Sequence, residues 1–517
     1  MAESNKDQGF LVYSQRMALR RRMILWVIVL AIVVLFGAAV LLYARLTDPA
    51  GRGITAGVSA PKYVWVQMLE DNDGRRPGGR LARAIVTDGD RCPPVVVGGV
   101  HEVMEVRRFA ARAEFPILLC EARLDAMSDA WIGNQHLPVR PANVTDMIVI
   151  GDTGCRITHY AWQACSDGEK WPFGSVASNA ARLIGSNVQP VILHLGDFHY
   201  REKPCADANW RCTRTPFGDN WATWEEEFFR PARPLLAAAP WIMLRGNHED
   251  CQRAGAGWQF LFDLQSYKDV CQEDREPYKL TIGGSADHPH VLVVFDTANE
   301  KNEHARKERL DTYARWVEQL RIPGADVWLA LHQPLWHCGD EEDRQDTSDP
   351  AASRRAYCAL GEPKGPLTKI REQLSAPGAA SLVSVVLSGD IHMFQLFAPK
   401  QGEQPVQIVA GVGGTSLDAL PKGDAAAAAA GADASESDFF IVEDTVLFGA
   451  GGTVWGVARH GFVKLHRDGA RWTLELRDAG GRLLVSCRVR GRETTLPPAG
   501  AASDGCDEPS AGSWSRH

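Results

Sequence analysis

The sequence has no C-x-x-C pair among its twelve cysteines, which removes the ligand spacing of zinc ribbons and the redox motif of thioredoxin-like proteins. It has no Lys/Arg block beyond its first residues, and its formal net charge is −8. The basic face of a general nucleic-acid binder is therefore missing. No charge interrupts residues 23–44. What is present is a chain of 517 residues, 45% hydrophobic and 23% charged, able to bury at least one large core and long enough for roughly two or three domains.

Residues 23–44 are apolar and long enough to cross the roughly 30 Å hydrocarbon core as one helix. Arg16, Arg20, Arg21 and Arg22 precede this stretch closely, while Arg45 and Arg52 are the cations nearby on the far side. The positive-inside bias then makes residues 1–22 a cytoplasmic tail and places the rest of the chain outside. A cleaved signal peptide competes with this reading, but the stretch exceeds the usual apolar region of ~7–15 residues and no clean small-x-small site closes it. The Arg run lacks the flanking residues of a twin-arginine signal. The expectation is a single-pass anchor in the inner membrane with the rest of the chain periplasmic or extracellular.

Twelve cysteines agree with an extracytoplasmic location, where they can pair. Close neighbours would give Cys92–Cys120, Cys155–Cys165, Cys205–Cys212, Cys251–Cys271, Cys338–Cys358 and Cys487–Cys506. Sequence alone does not fix connectivity, and free buried thiols are the alternative.

Residues 45–61, rich in Gly, Ala and polar residues without periodicity, read as a linker. Across 62–140, short strand-like runs (63–66, 82–86, 115–120) alternate with turn-rich pieces such as Asp71-Asn72-Asp73-Gly74, the pattern of a small β-sandwich domain. From residue 141 the rhythm becomes apolar strand, polar turn, helix, which predicts an α/β domain over 141–495.

Each turn there carries similar chemistry. Residues 147–150 run into Gly151-Asp152-Thr153-Gly154, and 191–195 into Gly196-Asp197-Phe198-His199-Tyr200. Residues 241–244 lead through Arg245 to Gly246-Asn247-His248-Glu249, 327–331 end in His332, and 382–387 end in Ser388-Gly389-Asp390-Ile391-His392. Open sheets gather their sites at the carboxyl ends of strands. Carboxylates and imidazoles there suit iron, zinc or manganese, and one carboxylate can bridge two ions about 3.5–4 Å apart. A Gly-Asp pair alone is ordinary turn chemistry; the ordered series is not.

The series GDTG, GDFHY, GNHE, LALH and GDIH resembles the five motif blocks of the calcineurin-like metallophosphoesterases, and specifically their purple acid phosphatase branch. The ordinary pattern has histidine two residues after the first aspartate; here Gly154 stands there, and Tyr200 follows the second aspartate, as in the purple branch, where a tyrosinate binds ferric iron. The resemblance implies a four-layer α/β/β/α metallophosphatase sandwich preceded by a β domain. It further implies two metal ions, iron with iron, zinc or manganese. Asp152, Asp197, Tyr200 and His392 would hold the first, and Asp197, Asn247, His332 and Asp390 the second, with Asp197 bridging. Asp390 departs from the family, which has histidine there. A carboxylate at that point adds negative charge and softens the second ion's Lewis acidity.

The implied reaction is hydrolysis of a small phosphate monoester by hydroxide formed from metal-bound water. His248 is the expected general acid. Arg156, His199, Arg245 and His337 are candidates to bind the substrate phosphate, although for the histidines a structural hydrogen bond is the competing reading. Asp296 reads as a turn cap. A phosphodiesterase or nucleotidase of the same superfamily, or a non-catalytic membrane-tethered binding protein, remain alternatives. Helical patterns at 221–230 and 306–321 suit surface helices, with their tryptophans in the core. Residues 424–437 are an alanine-dominated low-complexity loop. Strand-like runs at 439–446, 454–465 and 472–489 would complete a second sheet, and 496–517 form a disordered tail.

Overall fold

The computed structural model describes residues 60–490 apart from 72–77, 90, 108–112, 159–161, 186–188, 206–211, 213–214, 268–269, 300–305, 340–366, 376–381, 400–403, 419–438, 448–449 and 470. The expected anchor at 23–44, both terminal tails, nearly all of the linker and the alanine-rich loop lie outside the described residues. Among the described residues, no helix is long and apolar enough to cross a membrane.

Two large sheets form the body. The first runs, in spatial order, Leu483–Arg490, Arg471–Asp478, Gly461–Asp468, Asp146–Ile150, Pro190–His194, Trp241–Met243, Tyr63–Met68, Arg80–Val86, Leu118–Leu124, Glu105–Arg107. Asp146–Ile150, Pro190–His194 and Trp241–Met243 are parallel. In the second sheet Pro289–Val294, Asp326–Ala330, Val385–Ser388 and Val406–Ala410 are parallel, flanked by antiparallel strands.

Strand alternation explains the layering. Met147, Val149, Val191 and Leu193 face inward against Leu292, Trp328, Val385 and Leu387 of the other sheet. Ile148, Ile150 and Ile192 face outward onto the helix Phe173–Arg182 and the helical run that ends at Arg230–Leu236. On the opposite outer face Val291, Val327 and Leu329 meet Tyr313 of helix Arg306–Val317 and Ile370 of helix Leu367–Ser375. Each large apolar side chain buried in these layers stabilises by about 1.5–3 kcal/mol.

Two expectations are corrected by the pairing. Residues 62–140 are not a sandwich of their own: Tyr63–Met68 pairs in parallel with Trp241–Met243 and so extends the first large sheet. Tyr63 and Trp65 pack on the helices, while Val66 packs on a small sheet made of Val100–Val103, Pro94–Val97, Ala130–Ile132 and Gln135–His136. The carboxyl-terminal strands are also divided: Phe439–Leu447 and Ala450–Val457 join the second sheet, and the last three join the first.

Four disulfides, Cys92–Cys120, Cys155–Cys165, Cys205–Cys212 and Cys251–Cys271, match the nearest-neighbour pairing. Cys338 and Cys487 are also disulfide-bonded; the expected partners Cys358 and Cys506 lie outside the described residues.

Candidate metal centre

Every motif turn leaves the carboxyl end of a parallel strand, and the two sheets bring these ends together. The backbone turns sharply at each aspartate. Asp152, Asp197 and Asp390, with φ of 56°, 57° and 65°, are the non-glycine residues with left-handed backbone among those described. Aspartate tolerates this region better than most residues, yet such a conformation costs about 1–3 kcal/mol and persists where the surroundings impose it.

All seven expected ligands converge. The Tyr200 hydroxyl lies 2.6 Å from Asp197 Oδ2, 3.0 Å from Asp152 Oδ1 and 2.8 Å from His392 Nε2. On the other side of Asp197, Oδ1 lies 3.3 Å from His332 Nε2, which stands 3.6 Å from Asp390 Oδ1. Asp197 thus serves one half of the site with each oxygen. Asp152, Asp197 and His332 offer ligand atoms within 4.8 Å of one another. His332 Nδ1 is engaged by the Leu195 carbonyl at 2.7 Å, which leaves Nε2 facing the cluster.

Asn247 tests whether a cation fits. With its oxygen turned to accept from Arg253 Nη2 at 3.1 Å, its nitrogen donates to Asp390 Oδ1 at 2.9 Å and His332 Nε2 at 3.0 Å. With the amide turned the other way, its oxygen stands 3.0 Å from His332 Nε2, among acceptors, the arrangement suited to a ligand oxygen.

The electrostatics point the same way. Burial disfavours charge on His332, but Asp197, Asp152 and Asp390 outweigh it and push its pKa up to about 10. His392 is likewise pushed up to about 10, burial being overcome by Asp152 and Asp418. Burial, then Asp197 and Asp152, raise the Tyr200 phenol well above its usual value. Burial would raise Asp197, yet His332 and His248 hold it well below the carboxylate range. The cluster draws positive charge to its centre, and carboxylate, imidazole, amide and phenol oxygen donors suit hard or borderline cations.

Buried carboxylates hold the loops. Asp197 and Gly246 donate their backbone N–H to Glu249 Oε2 at 2.9 and 2.8 Å, and Phe198 and His199 donate theirs to Oε1 at 2.8 and 3.0 Å. Burial, then Asp197, raise Glu249 to about 8. Gly246 is required here by close approach: a Cβ would stand 2.1 Å from Asp197 Oδ1.

His248 borders the cluster, with Nε2 3.9 Å from Asp197 Oδ2 and its ring centroid 4.0 Å from that of Tyr200. Arg156 is near enough to act electrostatically on both Tyr200 and Asp418. His337, on the loop after His332, has Nδ1 3.0 Å from the Gly339 carbonyl.

The other two phosphate candidates are directed elsewhere. His199 is buried, with Nε2 3.0 Å from the Gly218 carbonyl. Arg245 is buried, donates to Asp296 Oδ2 at 2.8 Å and to the Glu273 carbonyl at 2.5 Å, and lines a separate cleft of about 660 Å³. Asp296, which also accepts from Ala298 N at 3.0 Å, is the turn cap expected.

Several residues carry the site without standing in the motif reading. Glu202 Oε1 lies 2.7 Å from His248 Nδ1 and 3.3 Å from Arg253 Nη1. Burial would raise Glu202, but His248 and Arg253 lower it to about 2. Asp418 accepts from His392 N at 2.8 Å and stands 3.3 Å from its Nδ1. Its sequence signal is the glycine run Gly411-Val412-Gly413-Gly414, whose three glycines all pack against the Asp152 turn. Glu202 has no comparable signal.

A family model of calcineurin-like phosphoesterases matches residues 146–394. No curated protein matches. Similar solved structures include a purple acid phosphatase from yellow lupin (Lupinus luteus) seeds, 12% identical over 84% of this chain and 75% of that one, with a TM-score of 0.51. Others are PhoD, 12% identical over 86% and 95% at a TM-score of 0.45, and GAP50, the anchor in the inner membrane complex of Plasmodium, 12% identical over 68% and 89% at 0.39. At 12% identity the likeness to the lupin structure speaks to fold alone. The family implies a dinuclear metal site, and the residues that would form one meet in this structure. Residues 146–394 thus match the calcineurin-like phosphoesterase family, and the chain is a metal-dependent phosphoesterase.

Proposed function

We propose that this protein is a membrane-anchored, extracytoplasmic phosphatase of the purple acid type, acting on small phosphate monoesters. The observation that carries the assignment is the seat of Tyr200. Its hydroxyl meets Asp152, Asp197 and His392 within 3.0 Å, and its ring occupies the space beside residue 154, where a Cβ would stand 2.8 Å from Tyr200 Cδ2. The tyrosine thus fills the place that a histidine side chain at that position would need.

Asp152, Asp197, Tyr200 and His392 would hold one ion and Asp197, Asn247, His332 and Asp390 the other, iron paired with iron, zinc or manganese. When bound, the ions supply Lewis acidity that activates water and neutralises phosphoryl charge. The chain's own residues do the rest. His248, backed by Glu202, stands beside the cluster to protonate the departing alkoxide oxygen. Arg156 supplies a cation at the same face for the phosphate oxygens. His337 is a second candidate there. Leu195 and Asp418 fix the ring orientations of His332 and His392.

The location rests on residues 23–44 with their preceding arginines and on the disulfides, which suit an oxidising compartment. The test is the full chain in detergent, with metal content, visible absorption, and turnover of p-nitrophenyl phosphate beside bis(p-nitrophenyl) phosphate. Bound iron with a tyrosinate charge-transfer band that Tyr200→Phe abolishes, together with faster monoester turnover, is expected. Iron bound without such a band excludes the purple acid reading, and faster diester turnover reassigns the chain as a phosphodiesterase.

A further inference from the structure

Glu227 belongs to none of the five motifs, yet it reaches the centre of the site. It lies in a π-helical turn, Glu225–Phe229, between the short helices Trp221–Trp224 and Arg230–Leu236. Such turns are rare and concentrate at functional sites. Its side chain is fully buried. Oε1 accepts two backbone hydrogen bonds, from Cys155 N and from Tyr200 N, both at 2.8 Å, while Oε2 has no hydrogen-bond partner among the described residues.

The two donors come from different motif turns. Cys155 ends the turn that carries Asp152, and Tyr200 ends the turn that carries Asp197. One oxygen therefore fixes the spacing between the two backbones whose side chains meet at the Tyr200 hydroxyl. Glu249 holds the amides of Asp197, Phe198 and His199; Glu227 takes the next amide in line. Gly154 completes the lock, since a Cβ there would stand 2.7 Å from Glu227 Oε1 and 2.8 Å from Tyr200 Cδ2. A buried carboxylate with an unpartnered oxygen is costly, so its place has to be imposed by the groups around it. Burial raises the Glu227 pKa, and His199 and Arg201 oppose that rise without cancelling it.

We propose that Glu227 is a positioning residue for Tyr200, setting where the phenol oxygen stands relative to Asp152 and Asp197 and thereby the affinity and electronic character of the metal that Tyr200 holds. This rests on the reading of Tyr200 as a metal ligand. The exchange that places glycine at 154 and tyrosine at 200 then has a third member, an acceptor on the neighbouring helix.

The experiment is a ferric iron titration of the full chain in detergent, reading both affinity and the position of the visible band. The variants are Glu227→Ala, Glu227→Gln and Tyr200→Phe, with each Glu227 change repeated in the Tyr200→Phe background. Glu227→Ala is expected to weaken iron binding about tenfold, the scale of lost supporting contacts at metal sites, and to shift the band. Glu227→Gln, which keeps an oxygen for both amides, is expected to restore most of each. In the Tyr200→Phe background Glu227→Ala is expected to add nothing. An unchanged band and affinity in Glu227→Ala, or an equal loss in both backgrounds, overturns the proposal while leaving the tyrosine reading intact. A Tyr200→Phe protein with wild-type band and affinity removes both. Should Glu227→Ala fail to fold, Glu227→Asp, which withdraws the oxygens by one methylene, takes its place with the same expected shift, and an unchanged band overturns the proposal.

Discussion

His248 Nδ1 stands 2.7 Å from Glu202 Oε1, a carboxylate supplied by the segment just beyond Tyr200. Arg253 reaches the same oxygen at 3.3 Å, so the imidazole is held from behind with its other nitrogen toward the cluster.

Glu202→Gln is therefore expected to lower kcat by about 10²-fold for esters with a poor leaving group, the low end of the range for general acid catalysis. The effect should shrink for nitrophenyl esters, whose leaving group needs little protonation. Comparing phenyl phosphate with p-nitrophenyl phosphate checks this, and equal losses on both would leave Glu202 a scaffold residue only.

Asp418 is expected to matter through His392. Asp418→Ala removes the carboxylate facing Nδ1, and such supporting partners are worth about 10–100-fold in metal affinity. Competition with a chelator of known affinity measures the change. No loss in that assay would mean that His392 is oriented by its backbone alone.

Stability should fall in acid through His290. This ring is buried between Trp328 and Trp472, at centroid distances of 4.9 and 5.8 Å, with Asp326 Oδ2 3.7 Å away. Burial lowers its pKa to about 4, with Arg467 adding to the drop and Asp326 opposing it. The unfolded chain binds this proton near pH 6.5 and the folded chain does not. Its contribution is present above about pH 6.5 and is lost as pH falls toward about 4, at most about 3 kcal/mol. Thermal melts at pH 7 and 4.5 should show a smaller acid loss in His290→Leu than in the wild type.

Cys155 follows the Asp152 turn, Cys205 follows Glu202, and Cys251 follows Glu249, so a bridge closes soon after each of the first three motifs. Replacing Cys155 and Cys165 together by serine is expected to cost about 2–3 kcal/mol from the short loop released. Metal binding should weaken more than it does on removing Cys92 and Cys120, whose bridge ties the segment before Pro94–Val97 to strand Leu118–Leu124. Paired melting and metal titrations separate the two effects.

The five motifs were legible because each is local: an apolar run, a glycine, a ligand. Their convergence required only that the strands be parallel. Arg245 and His199 misled because standing next to a motif says nothing of side-chain direction, and both turn to partners on other segments, Asp296 and the Gly218 carbonyl. Glu202, Glu227 and Asp418 act across loops or from a neighbouring helix, and nothing in the residues around Glu202 or Glu227 marks them. Asp390 stands out against the family pattern. Its left-handed backbone, shared with Asp152 and Asp197, shows that the turn tolerates aspartate as readily as the other two do.

The N-terminal strands were recognisable as strands, but Tyr63-Val64-Trp65-Val66 carries no mark of its neighbour. Because Tyr63–Met68 lies against Trp241–Met243 in one continuous sheet, this segment cannot be shuffled, trimmed or transplanted as a module. A shortened chain would keep every proposed metal ligand and still expose the backbone edge of the strand that leads to Asn247, an invitation to pair with a second copy.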